Sequence, residues 1–162
     1  MSIKYNNIEK TINKLAEKNY TISFMESCSG GSLANAFTNI RGCSRVLKFS
    51  AVTYSDESKI QLGVNKNTIE KYTINSTQVS KEMAKCITKY GGANIGVGIT
   101  GNMNLVTEEN SNGGEIYISI YDKHTRHYTT KIIHIKSKDR QKGKEAIINF
   151  IVNDLMKHLE VI

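Results

Sequence analysis

Residues 26–31 read Glu-Ser-Cys-Ser-Gly-Gly, directly after the apolar run from Tyr20 to Met25. Ser27, Cys28 and Ser29 each carry a hydroxyl or thiol that can attack a carbonyl centre once a base takes its proton. Gly30 and Gly31 remove the side chains that would block close approach. A strand that runs through such a turn into a helix leaves backbone N–H groups free at the helix start, where an anion or oxyanion can sit. The stretch is not a P-loop, which needs Gly-Lys-Ser/Thr, nor the Gly-x-Ser-x-Gly elbow of α/β-hydrolases. A tight strand-to-helix turn with a capping serine explains the same residues, and the residue types alone do not choose between Ser27 and Ser29.

A serine nucleophile needs a base, commonly histidine but also lysine when its pKa is lowered. His124, His127, His134 and His158 all fall in the last third of the chain without distinctive spacing, and read as solvated or structural. Lys59 is more suggestive. It follows a strand end in Val-Thr-Tyr-Ser-Asp-Glu-Ser-Lys, near Tyr54, which could hydrogen-bond it or a serine. To act as a base it needs a pKa well below the ordinary value of about 10.4, through desolvation or nearby positive charge. Cys28 reads as a small buried apolar group without an evident base, and Glu26 either as a structural acid bonding the turn backbone, the favoured reading, or as a group that orients Lys59.

These residues must be positioned by elements that the patterning makes visible. Ile8, Ile12, Leu15 and Ala16 form an amphipathic stripe within 3–18. Tyr20 to Met25 is a strand, and residues 32–40 are a helix with Leu33, Ala36 and Phe37 on one face, ended by the Gly42 region. Residues 49–55 form a second strand. Short helices are expected over Asp56 to Leu62 and over 65–72. Ser76 caps a longer helix through Tyr90, with Gly91 as its stop. Residues 93–100 form a strand, and 101–114 a long polar loop. Residues 115–121 and 127–135 alternate as an antiparallel hairpin, and Ile147, Ile148, Ile151, Val152, Leu155 and Leu159 mark a closing helix. Helices between early strands and a late hairpin predict an α/β fold, a three-layer α/β/α sandwich on a mixed sheet, as one domain over 1–162.

Composition narrows the function classes. The chain has 162 residues, 39% hydrophobic and 23% charged, as a globular domain should. Three cysteines without C-x-x-C spacing argue against a disulfide scaffold or a structural zinc site, and no metal is expected. No stretch nears the roughly 18 apolar residues of a membrane span, and the N-terminus lacks an apolar leader, so a cytoplasmic location is expected. The net charge of +7 suits an anionic partner. Without an aromatic-rich or helix-turn-helix motif, that charge is a weak argument for nucleic-acid binding.

Five segments, in order, resemble the CinA C-terminal domain family: 26–47 (Glu-Ser-Cys-Ser-Gly-Gly and beyond), 51–64 (Ala-Val-Thr-Tyr-Ser-Asp-Glu-Ser-Lys and beyond), 75–84, 95–101 (Ile-Gly-Val-Gly-Ile-Thr-Gly) and 137–150. The resemblance covers roughly residues 5 to 158. It implies a nicotinamide mononucleotide deamidase: an amidohydrolase that releases ammonia without a cofactor, taking a small pyridine nucleotide, in a family that tends to homodimers. On that resemblance Ser27 matches the nucleophile, Lys59 the general base and Tyr54 the tyrosine beside them. Ser29, Gly30, Gly31, Thr100 and Gly101 match substrate-binding positions, and Arg140 matches an arginine that binds or orients the substrate.

The chain departs from the family pattern in three places. Ser29 replaces a threonine, Lys138 replaces the glycine before Asp139, and residues 102–114 lack the family's proline-containing, glycine-rich segment. The last departure allows a second reading, a family member that keeps the fold and binds a nucleotide or protein partner without turnover.

Overall fold

The structure is a computed structural model and describes residues 2–162. Helix α1 (Tyr5–Glu17) buries the stripe Ile8, Ile12 and Leu15 and leads into strand β1 (Ile22–Glu26). The short helix α2 (Ser32–Thr38) and a 3-10 turn at Cys43–Arg45 follow, then strand β2 (Leu47–Val52). Three helices, α3 (Asp56–Gln61), α4 (Lys66–Tyr72) and α5 (Thr77–Gly91), lead to strand β3 (Ile95–Gly101). Strands β4 (Glu115–Asp122) and β5 (His127–His134) form the hairpin, and helix α6 (Arg140–Val161) closes the fold.

The five strands lie in the order β2-β1-β3-β4-β5. β2, β1 and β3 are parallel, and β4 and β5 join antiparallel. The expected three-layer α/β/α sandwich on a mixed sheet is therefore present. One apolar layer combines α1, α2 and α6 with Ile22, Phe24, Val97 and Ile118 from the sheet. The other sets Val79, Met83 and Ile87 of α5 against Met25. β1, covered on both faces, is buried at every position, which is why its sequence is an apolar run and not an alternation.

Helix α5 lies unusually close to β3. A Cβ on Gly98 would sit 2.3 Å from the Ser80 carbonyl oxygen, and one on Gly96 2.0 Å from that of Ala84. Both glycines thus serve close packing rather than flexibility.

Several boundaries shift by one to three residues from the sequence reading, and two of the shifts have a structural cause. β2 ends at Val52 instead of running to Ser55, because Ser55 accepts the Ser58 N–H and caps α3. The chain turns out of the sheet there, with Thr53 N–H still bonded to the Glu26 carbonyl at 2.8 Å. Helix α5 continues through Gly91, whose added Cβ would meet the Ser23 hydroxyl at 2.4 Å. Gly92, at φ +64°, supplies the left-handed stop instead.

Candidate active site

The three parallel strands all end on one side, where ligand crevices of open α/β sheets form. Register aligns the ends. Glu26 pairs with Val52 on one flank and with Ile99 on the other, so Ser27, Thr53 and Thr100 lie level, one residue beyond. Above them is a cleft of about 370 Å³ whose lining includes Ser27, Tyr54, Lys59, Asn75, Gly101 and Arg140.

Helix α3 delivers Lys59 to the floor of this cleft. Its cap at Ser55 fixes the entry of the helix, and Asp56 and Glu57 occupy the first turn, where acids suit the helix dipole. Lys59 is 1% exposed. Its Nζ lies 3.0 Å from Ser27 Oγ and donates to the Thr53 carbonyl oxygen at 2.6 Å. Among the described residues no carboxylate forms an ion pair with it. Burial pushes the Lys59 ammonium below its ordinary value of 10.5, partly opposed by the negative charge of Asp56. A lysine so placed spends more time as the neutral amine that can take a serine proton. Desolvation alone depresses it, with no neighbouring cation involved.

Glu26 orders the turn beneath Ser27. Fully buried, its carboxylate accepts the N–H groups of Leu33 at 3.1 Å and Ala34 at 2.8 Å, the structural role expected of it. Gly30 (φ +61°) and Gly31 (φ +88°) are both left-handed, a conformation that non-glycine residues enter at a cost. Cys28 also touches the cleft, but burial pushes its thiol up to about 12, so it holds its proton at neutral pH and is a poor nucleophile.

The expected residues divide by position. Ser27, Lys59, Tyr54, Gly101 and Arg140 line the cleft; Ser29, Gly30, Gly31 and Thr100 do not. Ser29 is wholly buried and its hydroxyl has no partner. Thr100 is buried beneath the cleft, where its hydroxyl reaches the Ile74 carbonyl oxygen at 3.1 Å and Asn75 Oδ1 at 3.2 Å. Tyr54 bonds neither Lys59 nor a serine; it stands at the rim, 68% exposed, because the chain has already left the sheet at Val52. Arg140 opens α6, held there by Asp139, whose Oδ1 accepts the Gln141 and Lys142 N–H groups.

Asp56, Asn75, Asn102 and Asn104 were not anticipated in the cleft. Asp56 could have been found from its three-residue spacing to Lys59, whereas the asparagines carry no sequence signal. The long loop that supplies two of them is cross-linked through asparagine. Asn102 Nδ2 donates to Asn110 Oδ1 at 2.5 Å, Asn110 Nδ2 to the Leu105 carbonyl at 2.9 Å, and Arg140 Nη1 to Asn104 Oδ1 at 3.4 Å. Among the described residues no cluster of three potential metal ligands occurs, and no helix is long and apolar enough to cross a membrane.

Fold and site together define an α/β domain with a buried serine–lysine pair at the carboxyl ends of its parallel strands. The profile of the CinA C-terminal domain matches residues 5–159, and the chain belongs to that family. A relative named "Putative competence-damage inducible protein" in Clostridium botulinum (strain ATCC 19397 / Type A) is 49% identical over 94 residues, which is 57% of this chain and 23% of the relative. Its namesake in Alkaliphilus oremlandii is 50% identical over 88 residues, 54% of this chain and 21% of the relative. The matched region thus spans less than a quarter of these relatives' length. Crystal structures of a CinA superfamily protein from Klebsiella pneumoniae 700603 and a competence or damage-inducible protein from Enterobacter asburiae both superpose with TM-score 0.89. They are 21% and 25% identical, and each comparison covers 98% of this chain, with 98% and 99% of the other.

Proposed function

We propose that the domain is an amidohydrolase that converts nicotinamide mononucleotide, or a close pyridine nucleotide, to the corresponding carboxylate and ammonia. The observation that carries this reading is the buried Lys59 amine 3.0 Å from the Ser27 hydroxyl. Neutral Lys59 takes the hydroxyl proton as Ser27 Oγ bonds to the carboxamide carbon. The C–N bond then breaks, and the departing nitrogen takes that proton from Lys59 and leaves as ammonia. Water, deprotonated by the same amine, cleaves the Ser27 ester and restores the serine. Arg140 faces the nucleotide phosphate, and the exposed ring of Tyr54 at the rim provides a flat surface for the pyridinium. The cleft volume falls within the range of small-molecule sites.

The alternative, a family member that binds without turnover, finds its support in the unusual asparagine-linked loop. The intact Ser27–Lys59 pair favours the enzyme. Purified protein should release ammonia from nicotinamide mononucleotide, and Ser27→Ala and Lys59→Ala should each lower kcat by at least about 10³-fold while remaining folded. A folded wild type that releases none at millimolar substrate sinks the reading for this nucleotide.

A further inference from the structure

Acyl transfer at Ser27 needs a donor for the oxygen that becomes negative when the carbonyl is attacked, and four of the N–H groups around the turn that carries Ser27 are already engaged. The Leu33 and Ala34 N–H groups go to Glu26. Those of Gly30 and Ser32 close the turn on the carbonyls of Ser27 and Ser29, and of residues 28–31 only Cys28 lines the cleft. Across the cleft stands an unengaged donor. The buried Thr100 hydroxyl shares its one proton between the Ile74 carbonyl oxygen at 3.1 Å and Asn75 Oδ1 at 3.2 Å, and Asn75 Nδ2 has no protein partner on the cleft wall. The strand register puts Thr100 level with Ser27 on the neighbouring strand, so the side chain that Thr100 holds belongs beside the nucleophile.

We propose that Asn75 is the donor that receives the carboxamide oxygen while Ser27 attacks, with Thr100 as the positioning residue that fixes the amide so that its nitrogen, not its oxygen, faces the substrate. This assignment rests on the amidohydrolase reading above and specifies how that site recognises a planar amide. No proton changes hands at Asn75. The carbonyl π electrons move onto oxygen as the Ser27 Oγ–carbon bond forms, and Nδ2 stabilises the resulting charge by a hydrogen bond that strengthens as the charge grows. An additional role follows for Thr100, which the cleft geometry removes from direct substrate contact but makes responsible for the orientation of Asn75.

The test pairs turnover with a tetrahedral adduct. Ammonia release from nicotinamide mononucleotide and titration with pyridine-3-boronic acid, whose boron accepts Ser27 Oγ and turns negative, are measured for wild type, Ser27→Ala, Asn75→Ala, Asn75→Asp and Thr100→Val. Thermal unfolding checks that each variant is folded. Asn75→Ala and the isosteric Asn75→Asp should each lower kcat about 100-fold with little change in KM, and weaken boronate binding by a comparable factor. Thr100→Val should move both readouts in the same direction by a smaller factor. Wild-type kcat in folded Asn75→Ala overturns the assignment and leaves the amidohydrolase reading standing. If wild type releases no ammonia yet binds the boronate through Ser27, a dependence of that binding on Asn75 upholds the assignment while the substrate reading fails. Equal boronate affinity in wild type and Asn75→Ala would then overturn the assignment too, as would the absence of any Ser27-dependent adduct.

Discussion

At the scale of single residues the site depends on one costly placement, a lysine amine in the interior. Lys59 has a lowered pKa in the folded chain and the ordinary value of 10.5 when unfolded. Below the lowered value both states carry the proton, and the folded form bears the full cost of a buried charge. As pH rises from that value towards 10.5, the folded lysine is neutral while the unfolded one is still charged, so the unfolded state binds more protons and stability increases with pH. Lys59→Met cannot titrate. Urea midpoints measured at pH 6 and pH 9.5 should therefore show wild type gaining stability relative to Lys59→Met as pH climbs; a constant difference would contradict the assigned cause. The same titration should appear in catalysis as kcat/KM rising with pH through the lowered Lys59 value.

At the scale of elements, the segment between α4 and α5 holds a backbone conformation that its residue type resists. Thr73 sits at φ +68°, ψ 161°, a region that glycine alone enters freely and that costs other residues about 1–3 kcal/mol. The sharp bend is needed to bring Ile74 and Asn75 over the end of β3, where Thr100 meets both. Thr73→Gly relieves the side-chain strain but gives the unfolded chain more freedom, and its net effect should be a gain of about 1 kcal/mol in urea unfolding. A loss of stability would mean that the Thr73 side chain contributes more than its weak 3.4 Å bond to the Asn75 carbonyl implies. β2 teaches the same lesson about boundaries. Residues 53–55 have strand-like types, yet a serine three residues before Ser58 caps a helix, and the cap prevails over strand propensity.

For the whole molecule, the last helix is locked to the sheet by a buried pair far from the chemistry. His158 Nε2, in the final turn of α6, lies 2.9 Å from Asp122 Oδ2 at the end of β4, with the two side chains 7% and 0% exposed. The other carboxylate oxygen accepts the His124 and Thr125 N–H groups and so shapes the β4–β5 turn. His158→Ala leaves a buried carboxylate short of one partner and should cost about 3–5 kcal/mol, lowering Tm on the order of 10 °C. Exposed His127→Ala should lie within about 0.5 kcal/mol of wild type. Thermal and urea unfolding of the two variants make the comparison. A structural histidine was a fair expectation at these positions, but nothing in the sequence pointed to His158 over its neighbours, since its partner is 36 residues away.

What the sequence determined by itself was local or periodic. Apolar spacing marked the helices and strands, and hence the layered α/β class, because the side-chain repeat of each element is set by backbone geometry. The Glu-Ser-Cys-Ser-Gly-Gly turn and Lys59 stood out as a nucleophile and a base in waiting, on residue type and family resemblance. Tertiary structure decided what those residues do for one another. Only the parallel register of β2, β1 and β3 brings Ser27 level with Thr53 and Thr100, and only burial lowers the Lys59 pKa. The same packing turns Ser29 inward, puts Tyr54 at the rim and sets Asn75 against Thr100 across 25 residues of chain. Such pairings lie between segments that no local pattern connects; they arise when the sheet closes.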